Sequence, residues 1–385
     1  MKRPHLVHFL AIKTDDTIAL KASVTMRETL LMDKVEVDLI KPRFPIQAYK
    51  LLNAYDFTMK IVCLDENQNE VYVKSYESDS YGNFYFKIPL STEQRKKVHV
   101  LQIYETRKTP GLEYHLGSFI PINVEGPKKL VICDFDKTLV DTRYSTTKEL
   151  YRSLTSPIES FPKIPKSIEI LQNYTQKGFH PFILSASPHF YEDAMRDWLY
   201  QNKVYTAGIF LKDYRKIFSL FEDDLTTKDL KIQGLYKLNH LLDILHMTSI
   251  PDEIVLMGDN FESDPLIYLG LARILEGRTE PRKMWSILKS LDAFQLTKKQ
   301  ESQLLNKIYQ LQSLIAQRQH RAVKVKIYIR KKASEEELIV PDEFLPYKHT
   351  IELYEGLSEK SLLEKDTRSK QNDIANAENE SHSMK

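Results

Sequence analysis

At about 150 residues per domain, a chain of 385 residues suggests two or three domains and more than one buried core. Fifty-five Lys and Arg against 53 Asp and Glu leave a formal charge of +2, which gives no case for a general nucleic-acid or membrane coat. With 42% hydrophobic and 28% charged residues the composition is globular, and the two cysteines, Cys63 and Cys133, exclude a disulfide framework and a Cys-rich zinc site. A reduced, cytoplasmic setting is therefore expected.

The apolar run Leu6 to Ile12 contains His8, is short and lacks a small-residue cleavage site, so it reads as a strand rather than a signal peptide. No apolar run approaches the ~18–20 residues that span a bilayer. Alternating Val35, Val37 and Leu39 predict a strand over Lys34 to Ile40. Phe57 to Leu64 and Glu70 to Tyr76 predict two more, joined by the turn residues Asp65 to Asn69. A second turn at Asp79 to Asn83 leads into alternating Phe84, Phe86 and Ile88, and Val98 to Tyr104 and Tyr114 to Ile122 complete the set. Short strands at this spacing predict a sandwich, closed off by Glu125-Gly126-Pro127.

Beyond that boundary the pattern changes. Short apolar strands at Lys129 to Cys133, Phe182 to Leu184, Gly208 to Leu211 and Glu253 to Met257 alternate with helices at Ile168 to Gln176, Phe190 to Tyr200 and Leu235 to Leu245. This predicts a parallel sheet with crossover helices, whose ligands sit beyond the carboxyl ends of the strands. Thr297 to Gln300 fits a capping box, followed by a helix with Leu304, Ile308, Leu311 and Ile315 on one face. Val323 to Ile329 alternates with Lys324, Lys326, Tyr328 and Arg330, a strand with a basic face; a lysine-protected edge strand is favoured over a membrane-binding one. From about Ser358 the chain is polar and aperiodic, and is expected to be disordered.

The strand ending at Cys133 runs into Asp134-Phe135-Asp136-Lys137-Thr138-Leu139. Two carboxylates two residues apart can face one site while Phe135 points elsewhere. This arrangement suits phosphoryl transfer through an aspartyl-phosphate, with Asp134 attacking phosphorus and Asp136 protonating the leaving oxygen, then deprotonating water. Paired anions repel a phosphate, so the site needs Mg²⁺ and further cations. Ser185 follows an apolar strand and can donate to a phosphoryl oxygen, with Ser187 its competitor. Lys237 on a helix face can neutralise phosphoryl charge, with Lys231 its competitor. Asp259 ends another strand and is the expected Mg²⁺ ligand; Asp264, beside it, either binds directly or supports a ligand, and also suits the start of a helix with Pro265.

This ordered set resembles the haloacid dehalogenase-like phosphatase superfamily over about residues 128–274. A narrower resemblance lies in Leu184 to Pro188, Gly208 to Tyr214, Tyr236-Lys237 with Leu241, and Gly258-Asp259 to Asp264-Pro265 with Tyr268. These segments look like the catalytic domain of the actin-patch-associated phosphatidate phosphatases, and the alignment favours Lys237 over Lys231. That family usually has Asp where Lys137 stands, often Trp at His189, and a Ser-Gly-Gln run at Asn260 to Glu262; these departures bear on lipid specificity rather than chemistry.

The resemblance implies an α/β Rossmann-like phosphatase domain (127–292); the residue patterns place an all-β sandwich, Ig-like or C2-like (1–126), before it, and a helix-and-strand extension (293–357) and a disordered tail (358–385) after it. Asp134, Asp136, Ser185 and Lys237 would be catalytic, and Asp134, Asp136, Asp259 and Asp264 would hold Mg²⁺. The implied substrate is phosphatidate or a related lipid phosphate, with peripheral membrane contact and no nucleic-acid partner. Asp141 to Lys166 and Asp213 to Gln233 leave room only for short insertions, and an open site suits a bulky substrate. Two alternatives stand beside this one: the same chemistry on a phosphoprotein, a nucleic-acid end or a soluble phosphomonoester, or a vestigial scaffold that binds lipid or protein.

Overall fold

The computed structural model describes residues 2–28, 56–142, 158–188, 191–212, 234–260, 263–291, 294, 298–318, 322–331 and 338–356. The strand expected at Lys34 to Ile40, the capping residue Thr297, His189, Lys231 and the tail lie outside them.

Two four-stranded sheets occupy the N-terminal part. In the first, β1 (Lys2–Thr14) pairs antiparallel with β2 (Ile18–Glu28), which pairs with β5 (Asn83–Ile88), and β8 (Ile122–Val124) flanks β1. In the second the order is β4 (Glu70–Glu77), β3 (Thr58–Leu64), β6 (Val100–Glu105), β7 (Tyr114–Phe119). The side-chain period of 2 explains their shared core: Ile18, Leu20 and Ala22 meet Met59, Ile61, Cys63, Leu101 and Ile103. The turns are set by side chains, since Asp65 Oδ1 accepts from the amides of Asn67 and Asn69 at 2.9 and 2.8 Å, and Asp79 Oδ1 from those of Tyr81 and Asn83, both at 2.9 Å.

Strand β2 and the short helix α1 (Thr92–Lys97) were not anticipated from the sequence. The single strand expected over Tyr114 to Ile122 is two, β7 and β8, in different sheets. They separate at Ile120-Pro121, where proline has no N–H to continue a ladder.

The second region is a six-stranded parallel sheet in the order β11 (Gly208–Lys212), β10 (His180–Pro188), β9 (Lys129–Asp134), β12 (Glu253–Asp259), β13 (Lys324–Arg330), β14 (Ile351–Tyr354). Its strands are apolar on both faces. Leu130, Ile132, Ile254 and Leu256 face α4 (Gly234–Thr248), α5 (Asp264–Glu276), α6 (Pro281–Lys289) and α7 (Lys298–Gln317). Val131, Cys133, Val255 and Met257 face α2 (Pro165–Gln176) and α3 (Glu192–Gln201). The winding direction reverses between β9 and β12, the place where open parallel sheets bind ligands.

β13 is not an edge strand: it pairs with both β12 and β14, and its last residue, Arg330, is buried. The alternating lysines marked a strand whose basic face is only partly exposed, because β14 and its neighbours cover the far end. The N-terminal sheet is also buried on its outer face, where Leu10, Ile12 and Ala19 join the core around α4. No helix among the described residues is long and apolar enough to cross a membrane.

Candidate active site

β9 ends on Asp134, which is buried. The next amide, Phe135 N–H, donates to Leu184 O at 3.1 Å, and the chain then turns back, with Leu139 and Val140 N–H both directed at Phe135 O (2.9 and 3.3 Å). Lys137 takes the left-handed conformation (φ +59°) that this turn demands. Phe135 points away from the site, as expected, and meets Trp198 edge to face at 5.2 Å.

Asp136 is surrounded by hydroxyls. Its Oδ2 accepts from Ser185 Oγ at 2.7 Å and from Ser187 Oγ at 3.1 Å, and its Oδ1 from Thr142 Oγ1 at 3.3 Å. Ser185 and Ser187 thus both reach the site, resting on Asp136. Tyr236, at the start of α4, donates to Ser185 O at 2.6 Å and fixes the end of β10. The Tyr191 phenol is pushed up to about 12 by burial and then by the charge of Asp136.

Lys237, one residue further on α4, places its ammonium 3.0 Å from Asp134 Oδ1 and 2.5 Å from Asp264 Oδ1. All three groups are at most 1% exposed. The second Asp264 oxygen accepts from Asp259 N–H at 3.3 Å. Pro265 suits the first turn of α5, so Asp264 both opens that helix and faces the site. The turn between β12 and α5 is tight: a Cβ on Gly258 would lie 2.4 Å from Asp264 Oδ2 and 2.8 Å from Tyr268 Cε2. Tyr268 is fully buried and donates to Met257 O at 2.9 Å, locking α5 onto β12.

Carboxylate oxygens of Asp134, Asp259 and Asp264 lie within 4.8 Å of one another. This buried, all-oxygen donor set fits a small hard cation such as Mg²⁺. The Asp136 carboxylate, the fourth member of the expected metal set, is not in that group; it sits among the hydroxyls. Cys133 is buried in the sheet, and burial followed by the nearby Asp134 and Asp264 charges raises its thiol pKa, leaving it a packing residue.

Sequence reasoning missed Ser187's contact, Thr142, Tyr236 as a brace, and Arg330. The Arg330 guanidinium donates to Lys137 O and, at 3.1 Å through both terminal nitrogens, to Asp141 Oδ1. The available signal was its position at the carboxyl end of a strand, the same place that marks Asp134 and Asp259.

Residues 129–280 match the family model described as phosphatidate phosphatase APP1, catalytic domain. No curated protein matches the chain. Among solved structures, β-glucuronidase of Parabacteroides merdae is 10% identical, with a TM-score of 0.25 over 86% of this chain and 34% of that one. A glycosyl hydrolase family 2 member from Bacteroides cellulosilyticus is also 10% identical, with a TM-score of 0.23 over 86% of this chain and 41% of that one. The chain therefore spans only 34% and 41% of these proteins' lengths, and TM-scores this low carry no assignment of fold or activity.

Proposed function

We propose that this chain, whose residues 129–280 match the model of the phosphatidate phosphatase APP1 catalytic domain, hydrolyses phosphatidate or a related lipid phosphate through an aspartyl-phosphate on Asp134. The observation that carries the reading is the convergence of Asp134, Asp259, Asp264 and Lys237, all within the matched segment, at the point where the sheet reverses its winding.

Asp134 attacks phosphorus, and the P–O bond to the leaving group breaks. The leaving oxygen takes a proton from Asp136. Ser185 and Ser187 turn their hydroxyls from Asp136 to the phosphoryl oxygens, and Lys237 offsets the charge gathering there. In the second half, Asp136 takes a proton from water, and the resulting hydroxide cleaves the acyl phosphate, freeing phosphate and restoring Asp134. A Mg²⁺ held by Asp134, Asp259 and Asp264 would supply charge neutralisation for the incoming phosphoryl group.

In this reading residues 1–126 are a sandwich domain and the sheet region is the phosphatase domain, working at a membrane surface that supplies the lipid. The test is phosphate release from phosphatidate in mixed micelles, with Mg²⁺ or EDTA, beside soluble phosphomonoesters, with Asp134→Asn as the blank. Mg²⁺-dependent lipid turnover well above the soluble panel supports the proposal. Activity confined to the soluble panel removes the lipid and keeps the chemistry. No turnover of any ester leaves the scaffold alternative.

A further inference from the structure

The family match stops at residue 280, but the sheet that carries the site does not. β13 lies directly beside β12, with Asp259 and Arg330 as register partners at their carboxyl ends. Arg330 O accepts from Asn260 N–H at 2.9 Å, so its backbone continues the strand that presents Asp259. Its side chain reaches across to the turn that follows Asp134. One terminal nitrogen donates to Lys137 O and to Asp141 Oδ1, the other to Asp141 Oδ1. Gly356 closes over the guanidinium, where a Cβ would come 3.1 Å from Arg330 Nε and 2.9 Å from Ile164 Cγ2.

The turn needs such a tie. Lys137 is a long side chain in a left-handed conformation that L residues rarely adopt, and it sits between Asp136 and Thr138, whose Oγ1 donates to Asp134 Oδ2 at 3.3 Å. A planar fork of donors can hold a carbonyl and a carboxylate on one side at once; an ammonium on a flexible stem cannot hold that geometry. Asp141 in turn neutralises the buried guanidinium.

We propose that Arg330 is a positioning residue for the phosphoryl transfer: it clamps the turn from Phe135 to Asp141, holding Asp134 and Asp136 in register with Asp259, and so extends the catalytic unit beyond the matched segment to β13 and Gly356. The catalytic half of this inference rests on the proposed phosphatase activity; the clamp itself does not.

Two measurements on the full chain test it. In Arg330→Ala, hydrogen exchange is expected to speed up in peptides covering Cys133 to Asp141 and to stay unchanged in β10 and β11. For an aryl phosphate, kcat is expected to fall about 100-fold with KM held within about twofold, and free guanidinium to restore part of the loss in Arg330→Ala but to do nothing for the parent chain. Arg330→Lys is expected to recover only a minor share. Unchanged exchange over Cys133 to Asp141 overturns the clamp. Unchanged kcat, or a loss that guanidinium leaves untouched while exchange rises everywhere, overturns the positioning role. A parent chain without turnover sinks the phosphatase reading, and the exchange comparison then still decides the clamp.

Discussion

The Lys237 ammonium donates to Asp264 Oδ1 at 2.5 Å, with both groups shut off from water. A buried ion pair of this kind is weak evidence for stability, because desolvation offsets most of the attraction, but removing one partner is expensive. Lys237→Met would leave Asp134 and Asp264 facing each other. The expected result is a loss of about 3–5 kcal/mol in EDTA, recovered in part by Mg²⁺, with a larger Mg²⁺-induced rise in melting temperature than in the parent chain. Thermal melts with and without Mg²⁺ check this. An equal Mg²⁺ effect in both proteins would mean the three carboxylates do not share a cation.

Gly258→Ala tests how tightly that cluster is built. The new Cβ would meet Asp264, which Lys237 and Asp259 N–H already hold, and Tyr268, which Met257 O holds. Neither can swing away freely, so overpacking is expected to cost about 1–3 kcal/mol and to weaken Mg²⁺ binding. Urea unfolding and calorimetric Mg²⁺ titration measure the two effects; a parent-like Mg²⁺ affinity would show that Asp264 is not needed at the metal.

His240 predicts a pH dependence. Burial, followed by the charge of Lys21, pushes its pKa from an ordinary 6.5 down to about 4, against the opposing pull of Asp243. Between these values the unfolded chain binds a proton that the folded chain refuses. Stability therefore rises with pH across that window, by up to about 1.4 kcal/mol per unit for this one group. His180 and His246, both lowered by burial, act in the same direction. Chemical denaturation at pH 4, 5.5 and 7 in the parent and in His240→Gln checks the sign; an unaltered slope in the variant would remove His240 from the account.

Ile12 is fully buried in the same core as Leu241 and Leu245 of α4, although it belongs to the N-terminal sheet. Ile12→Ala is expected to cost about 2–4 kcal/mol and to lower the unfolding midpoint of the α/β core along with that of the N-terminal sheets. Two separate transitions, with only the earlier one shifted, would show that the sheet and the α/β core are energetically independent.

The candidate residues that the structure brings together at the ends of the strands were legible in the sequence because most of them sit at a local boundary. An apolar strand that ends in a polar residue is visible in a short window, and Asp134, Ser185 and Asp259 all carry that mark. Lys237 was legible as a helix-face cation, and the parallel sheet followed from strands alternating with helices.

Only the tertiary structure decided what those residues touch. Ser185 and Ser187 compete as sequence candidates, yet both hydroxyls reach Asp136, because β10 runs on to Pro188 past the end of its pairing with β9 and the two serines, two residues apart, share one strand face. Asp136 shares a motif with Asp134 but faces hydroxyls instead of the other carboxylates. Arg330 looked like one member of a lysine-protected edge until β14 paired beside it and Asp141 neutralised its charge. Patterns along a chain report burial and local conformation, which depend on neighbours in sequence. Strand order and the pairing of charges depend on contacts between segments far apart in the chain, and these are set only when the whole sheet closes.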